Sequence, residues 1–140
     1  MSTEKQMWAA LQPYMKRAKL DPHRVENRVS VGMPDVNYLH GWLELKNADE
    51  FQRIGTLALK HPPTPEQKVW LERRHNLGGV VFLCLRVGRK WWLIEGDKVK
   101  ELWPNKNSRP TKEQIKYWSV CEGDKPADIA DFLVGYGNGA

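Results

Sequence analysis

Three ionisable residues interrupt a stretch that otherwise reads as buried strand. Gly32 to Asn47 runs GMPDVNYLHGWLELKN, with Asp35 behind a proline and Glu44 and Lys46 two residues apart in an apolar run. In a strand, residues two apart share a face, so Glu44 and Lys46 project together while Leu43 and Leu45 project into a core. A two-residue loop at Leu39-His40 pairs Tyr38 with Gly41 and sets Asp35 opposite Glu44; a three-residue loop would shift the pairing by one and require a bulge. Two carboxylates facing each other beside a lysine repel unless a cation neutralises them, and oxygen ligands at this spacing suit Mg²⁺ or Mn²⁺. Asp35 and Glu44, with the backbone carbonyl of Leu45 as a further oxygen, would hold the metal against a phosphodiester, polarise its oxygen and lower the pKa of a water. Lys46 would orient that water or stabilise negative charge developing on phosphorus. The bland alternative is a solvated strand face carrying a cross-strand ion pair.

These residues need elements to hold them. Residues 3 to 19 read as a helix with an apolar stripe at Met7, Trp8, Leu11, Met15 and Ala18, which Pro13 must kink or restart. Glu4 stands at the start of that stripe. Two extended segments follow, around Val25 to Val31 and Gly32 to Leu39, and a tight turn leads into WLELK. Residues 47 to 63 form a mixed region with TLALK as a possible short strand. TPEQ then opens a helix, with Thr64 as N-cap, Pro65 in the first position and Gln67 at the reciprocal capping position; it ends at Gly78-Gly79. By helical spacing Gln67 shares the inner face with Trp70 and Leu71, so it either hydrogen-bonds near Lys46 and the water or caps its own helix. Val80 to Val87 and Lys90 to Glu95 form an apolar hairpin about Gly88-Arg89, and EGDK turns into Val99 and Leu102. Two weaker helices are expected around 111 to 117 and 126 to 134. A helix connecting strands in this order implies an α/β fold, a mixed central sheet flanked by helices.

The chain has 140 residues, with 22 Lys and Arg against 17 Asp and Glu, a net charge of +5 and a pI near 9.3, which favours a polyanionic partner. One domain is expected, with a core over about 3–103 and a helical extension over about 104–140. Cys84 and Cys121 are too few for a disulfide scaffold, and Cys84 lies in an apolar run, which indicates a reducing, intracellular protein. The N-terminus lacks the apolar core of a signal peptide, and no segment approaches the roughly 20 apolar residues of a membrane span. A soluble cytoplasmic protein with no membrane partner is expected. The four histidines share no metal-ligand spacing, which argues against zinc.

Pro34-Asp35, a short spacer and Glu44-Leu45-Lys46 resemble the PD-(D/E)xK nuclease motif, and TPEQKVWLERRHNLGGVVFLCLRVG is similar to the helix and strand of the VRR-NUC and Holliday-junction-resolvase branch, especially its small phage members. The resemblance spans roughly Arg24 to Glu95. It implies a restriction-endonuclease-like core, Mg²⁺-dependent phosphodiester hydrolysis with Mn²⁺ as substitute, and Asp35, Glu44 and Lys46 as catalytic residues. It further implies branched DNA as substrate and a homodimer, since resolving a four-way junction takes two symmetric cuts. If phage-encoded, the protein would work in the cytoplasm of a bacterial host. Arg24, Arg28, Arg73 and Arg74 are the expected DNA contacts. Such families usually add an acid from the first helix, a place Glu4 matches. Glu26 competes: if the first two strands turn at Ser30-Val31, Glu26 lies across from Asp35, and it is preferred because Pro13 disturbs the first helix's register. The rival class of function is a non-catalytic nucleic-acid-binding module stacking bases on Trp91-Trp92.

Overall fold

The computed structural model describes residues 2–26 and 30–136. Arg28, one of the expected DNA contacts, lies outside them. The elements run α1 (Glu4–Arg17), β1 (His23–Arg24), β2 (Val36–Tyr38), β3 (Gly41–Ala48), α2 (Pro65–Asn76), β4 (Val80–Val87), β5 (Lys90–Glu95), α3 (Val99–Leu102), α4 (Lys112–Trp118), β6 (Ser119–Gly123) and α5 (Pro126–Gly135). Six strands form one sheet in the order β1-β2-β3-β4-β5-β6. Every neighbouring pair is antiparallel except β3 and β4, which run parallel and are joined through α2.

Both sheet faces are covered, which is why β4 and β5 are apolar at successive rather than alternate positions. On one face Leu43, Leu45, Phe82, Cys84, Trp91 and Leu93 pack under Met7, Leu11 and Met15 of α1 and Ile129 and Leu133 of α5. On the other, Leu83, Leu85, Trp92 and Ile94 pack under Trp70 and Leu71 of α2, with Val99, Leu102, Trp103 and Ile115. Trp91 and Trp92 are therefore both buried, one on each face, and neither offers a ring to a base. That removes the stacking platform on which a non-catalytic binding module would rest.

Several expectations need correction. α1 continues through Pro13 without restarting. Pro13 and Ala9, whose carbonyl loses its helical partner, are both exposed, so water can satisfy the freed oxygen. Of the first extended segment, residues 27–29 lie outside the described residues, and the strand that is described, β1, falls just before Val25; TLALK forms no strand: Thr56 makes an isolated bridge to Thr111, and Leu57 is buried beneath it. Besides its two helices, the segment after 104 supplies β6, which pairs with β5. Among the described residues no helix is long and apolar enough to cross a membrane.

Candidate active site

Tyr38 pairs with Gly41 and Val36 with Leu43, the two-residue-loop register. Continued by one step, it sets Asp35 opposite Glu44. β2 ends there, so β3 has no strand partner on this side beyond that point. The Asp35 side chain takes over: its Oδ2 accepts the Leu45 N–H at 2.9 Å, capping the open edge and fixing the carboxylate on β3.

Glu44 and Lys46 point to the α2 side of the sheet. They are 2% and 4% exposed, and Asp35 is 6% exposed, so the solvated-face alternative is excluded. Lys46 Nζ lies 3.6 Å from Glu44 Oε2. Gln67 caps its own helix and at the same time reaches Glu44, the neighbour of Lys46. Its Oε1 accepts the Thr64 N–H at 3.0 Å while Thr64 Oγ1 accepts the Gln67 N–H at 3.1 Å, and its Nε2 donates to Glu44 Oε2 at 3.2 Å. The capping box thus aims the amide at the carboxylate.

Gly32 lets these parts approach. Its φ is +84°, and a Cβ there would meet the Glu66 carbonyl oxygen at 2.3 Å. Only a glycine tolerates both constraints, and the chain before Asp35 can therefore pass against the first turn of α2. Ser30 Oγ accepts a hydrogen bond from Trp70 Nε1 at 3.2 Å, a second tie between the same segments.

A third carboxylate is carried by α1. Ser2 donates to Asp49 Oδ1 from both its amide and its hydroxyl at 2.8 Å, Asn47 Nδ2 donates to Ser2 Oγ at 2.9 Å, and Arg86 Nε donates to Asn47 Oδ1 at 2.8 Å. This chain of contacts moors the start of α1 beside the end of β3. Glu4 is placed where burial raises its pKa; the Lys46 charge opposes that rise, the Asp35 charge reinforces it, and the charges of His61 and Arg24 oppose it. Glu26 does not join the group. β1 pairs His23 with Asn37 and Arg24 with Val36, and the Val25 N–H donates to the Asp35 carbonyl at 2.8 Å. Val25, one residue short of the expected register, lies across from Asp35, and a one-residue slip turns a side chain to the opposite face. Glu26 is exposed. The register on which the preference for Glu26 rested is corrected by that slip, and the case for Glu4 as the additional acid is a proposal.

Two buried carboxyls, Asp35 and Glu44, therefore lie with one buried ammonium, and the half-buried Glu4 is within range of the Asp35 and Lys46 charges. Burial, followed by the Asp35 charge, raises the Glu44 pKa well above the carboxylate range despite the opposing Lys46. Glu44 Oε1 is buried with no hydrogen-bond partner. An unpartnered carboxylate oxygen amid excess negative charge is the environment that a hard divalent cation would relieve, and the donor set of Asp35, Glu44 and the Leu45 carbonyl is all oxygen.

No family model and no curated protein matches the sequence. Among solved structures, the chain is similar to Archaeoglobus fulgidus Hjc, a Holliday junction resolvase from an archaeal hyperthermophile, with a TM-score of 0.51 and 16% identity over 93% of this chain and 97% of that one. The chain has a restriction-endonuclease-like fold. The basic residues expected on DNA are spread over that fold. Arg24 is half-buried on β1, and Arg73 and Arg74 are exposed on α2, Arg74 lying over the Trp70 ring at 4.5 Å. Among the described residues, the three-membered group of ligand-type side chains within 4.8 Å of one another is His75, Glu95 and Asp97, which lies at the far end of α2 from Gln67. Histidine spacing along the sequence could not have shown it, because His75 meets two carboxylates from a different element.

Proposed function

We propose that this chain is a metal-dependent endodeoxyribonuclease of the PD-(D/E)xK type, acting on branched DNA such as four-way junctions. The observation that carries the reading is the dry pair Glu44 and Lys46, with Asp35 in register opposite and Glu44 Oε1 unpartnered. Such a pair is costly to a fold that does not use it. The resolvase named above shares the fold, which favours junctions over other DNA, and two symmetric cuts call for a homodimer. The motif's resemblance supports the VRR-NUC and phage branch, with the protein working in the cytoplasm, that of a bacterial host cell if it is phage-encoded.

Asp35, Glu44 and the Leu45 carbonyl hold Mg²⁺, for which Mn²⁺ can substitute. When bound, the ion supplies a Lewis acid for a phosphoryl oxygen and makes water a stronger nucleophile. The protein's own groups do the rest. Lys46 faces the side where charge grows on the phosphoryl oxygens and stabilises it without reorganising. Gln67, anchored by its own helix cap, keeps Glu44 from rotating. Glu4 supplies the additional acid, at the place the motif family reserves for the first helix. Arg24, Arg73 and Arg74 are proposed to contact DNA.

The test is incubation of the protein with Mg²⁺ and duplex, single-stranded, flap and four-way-junction DNA. Cleavage is expected on the junction first and is abolished by excess EDTA, with Ca²⁺ supporting binding but little turnover. Binding without cleavage on every substrate would return the chain to the non-catalytic class.

A further inference from the structure

We propose that residues 58–62 and 106–109 together form a phosphate-binding track for the DNA strand entering the Glu4, Asp35, Glu44 and Lys46 site; this rests on the nuclease reading above. A cavity of about 560 Å³ opens beside Glu4 and Ala48 and is walled by Leu59, Lys60 and His61. A second, of about 270 Å³, shares Ala58, Leu59 and Lys60 with it and continues past Pro62 to Lys106, Ser108 and Arg109. The two make one path that starts at Glu4 and leads away from it.

The charge along the path changes in the sense a nucleic-acid backbone needs. Carboxylates are confined to the first cavity, where Glu4 lies in reach of the His61 charge and Asp49 is occupied by Ser2. The second cavity has no acid in its lining, only Lys60, Lys106 and Arg109 among charged groups. All three are exposed, and none makes an ion pair among the described residues. A divalent ion at the acidic end would take the scissile phosphate, and the cations would take phosphates further along the strand, releasing counterions as they do so.

The wall is built rather than incidental. The Leu57 N–H donates to the Pro110 carbonyl at 2.8 Å, and Thr56 bridges Thr111, so two loops distant in sequence form one surface. Asn105 orders the second loop, accepting from the Asn107 N–H at 2.9 Å and donating its own N–H to Ser108 Oγ at 3.0 Å. Like charges held side by side on an ordered surface repel one another until a polyanion neutralises them.

The experiment measures affinity for four-way-junction DNA in Ca²⁺ across a range of KCl, for wild type, the triple variant Lys60→Ala, Lys106→Ala, Arg109→Ala, and the double variant Arg73→Ala, Arg74→Ala. Each lost phosphate contact removes about 0.9 from the slope of log K against log salt on duplex and about 0.7 on single strand. The triple variant is expected to flatten the slope by about 2 to 3 and weaken binding about tenfold or more at low salt, with an unchanged circular dichroism melt because all three side chains are exposed. Wild-type binding with a triple variant of equal slope and affinity overturns the track and leaves the nuclease reading standing. A wild type that binds no DNA overturns both. A weakened triple variant of a protein that never cleaves DNA in Mg²⁺ supports the track and overturns the nuclease.

Discussion

α2 has a group of ionisable side chains at each end, and the two groups are opposites in kind. At its N-terminal end Gln67 holds Glu44 beside Lys46, with Asp35 opposite and Glu4 near, and Asp35, Glu44 and Lys46 are almost wholly buried. At its C-terminal end His75 Nε2 stands 3.4 Å from Asp97 Oδ1, Lys98 Nζ lies 3.5 Å from Asp97 Oδ2, and Tyr136 donates to Glu95 Oε2 at 2.7 Å. There the His75 and Asp97 side chains keep 28% and 21% of their exposure, and both carboxylates have protein partners, although Asp97 Oδ1, like Glu44 Oε1, accepts no hydrogen bond. By ligand types alone the second group looks more like a metal centre. The first is proposed as the metal site because it is the drier of the two, with Asp35 and Glu44 6% and 2% exposed. On that proposal, buried charge is a better guide to chemistry than the proximity of ligand-type side chains.

The largest effect that can break this comparison is loss of cleavage. Asp35→Asn and Glu44→Gln are each expected to lower single-turnover cleavage by about 10³-fold or more, whereas His75→Ala and Asp97→Asn stay within about twofold of wild type. Dependence on the C-terminal group instead would reverse the assignment. Next in size is Lys46→Ala, for which we expect a loss of about 10²-fold in cleavage with DNA affinity in Ca²⁺ nearly intact. A proportional loss of both would make Lys46 a phosphate anchor.

Smaller still is the contribution of α1. Glu4→Gln should raise the Mg²⁺ concentration for half-maximal cleavage several-fold, on the order of 1 kcal/mol for a peripheral ligand, and Glu26→Gln should leave it unchanged. A magnesium titration of the two variants separates them. The smallest effect is on stability without metal. The Glu44 pKa is raised in the folded chain, so the protonated carboxyl favours folding, and that benefit is complete below the ordinary value of 4.5 and is lost as pH rises through the folded value. In EDTA, Glu44→Gln should therefore melt with wild type near pH 4 and above it at pH 8, at about 4 °C for each kcal/mol relieved. A variant that melts lower at pH 8 would show that the carboxylate stabilises the empty site.

The core of the site was legible because its spacing is local. Asp35 and Glu44 lie on one hairpin whose two-residue loop sets the register, and Gln67 sits in a capping box with a fixed sequence pattern. The hairpin of β4 and β5 was equally clear from its apolar run and Gly88. What failed were long-range placements. The choice between Glu4 and Glu26 turned on a single residue of register between β1 and β2, where β1 is too short to reveal it. The mooring of α1 through Ser2, Asn47 and Arg86 joins residues more than 35 apart, and no local pattern marks it. β6 was missed because Ser119–Gly123 is short and half-exposed, with little of the hydrophobic alternation that identifies a strand.

The packing of α1 against α5 also bears on when the site can exist during synthesis. Met7, Leu11 and Met15 share one cluster with Ile129 and Leu133, so the helix that carries Glu4 has its full seat only once the residues of α5 have left the ribosome. A nascent chain that has made β3 and α2 already holds Asp35, Glu44, Lys46 and Gln67, but not the support that brings Glu4 to them. Contacts between segments so distant in the chain form late, because the loop between them must close first. The order of translation thus delays completion of the site until nearly the whole fold is present.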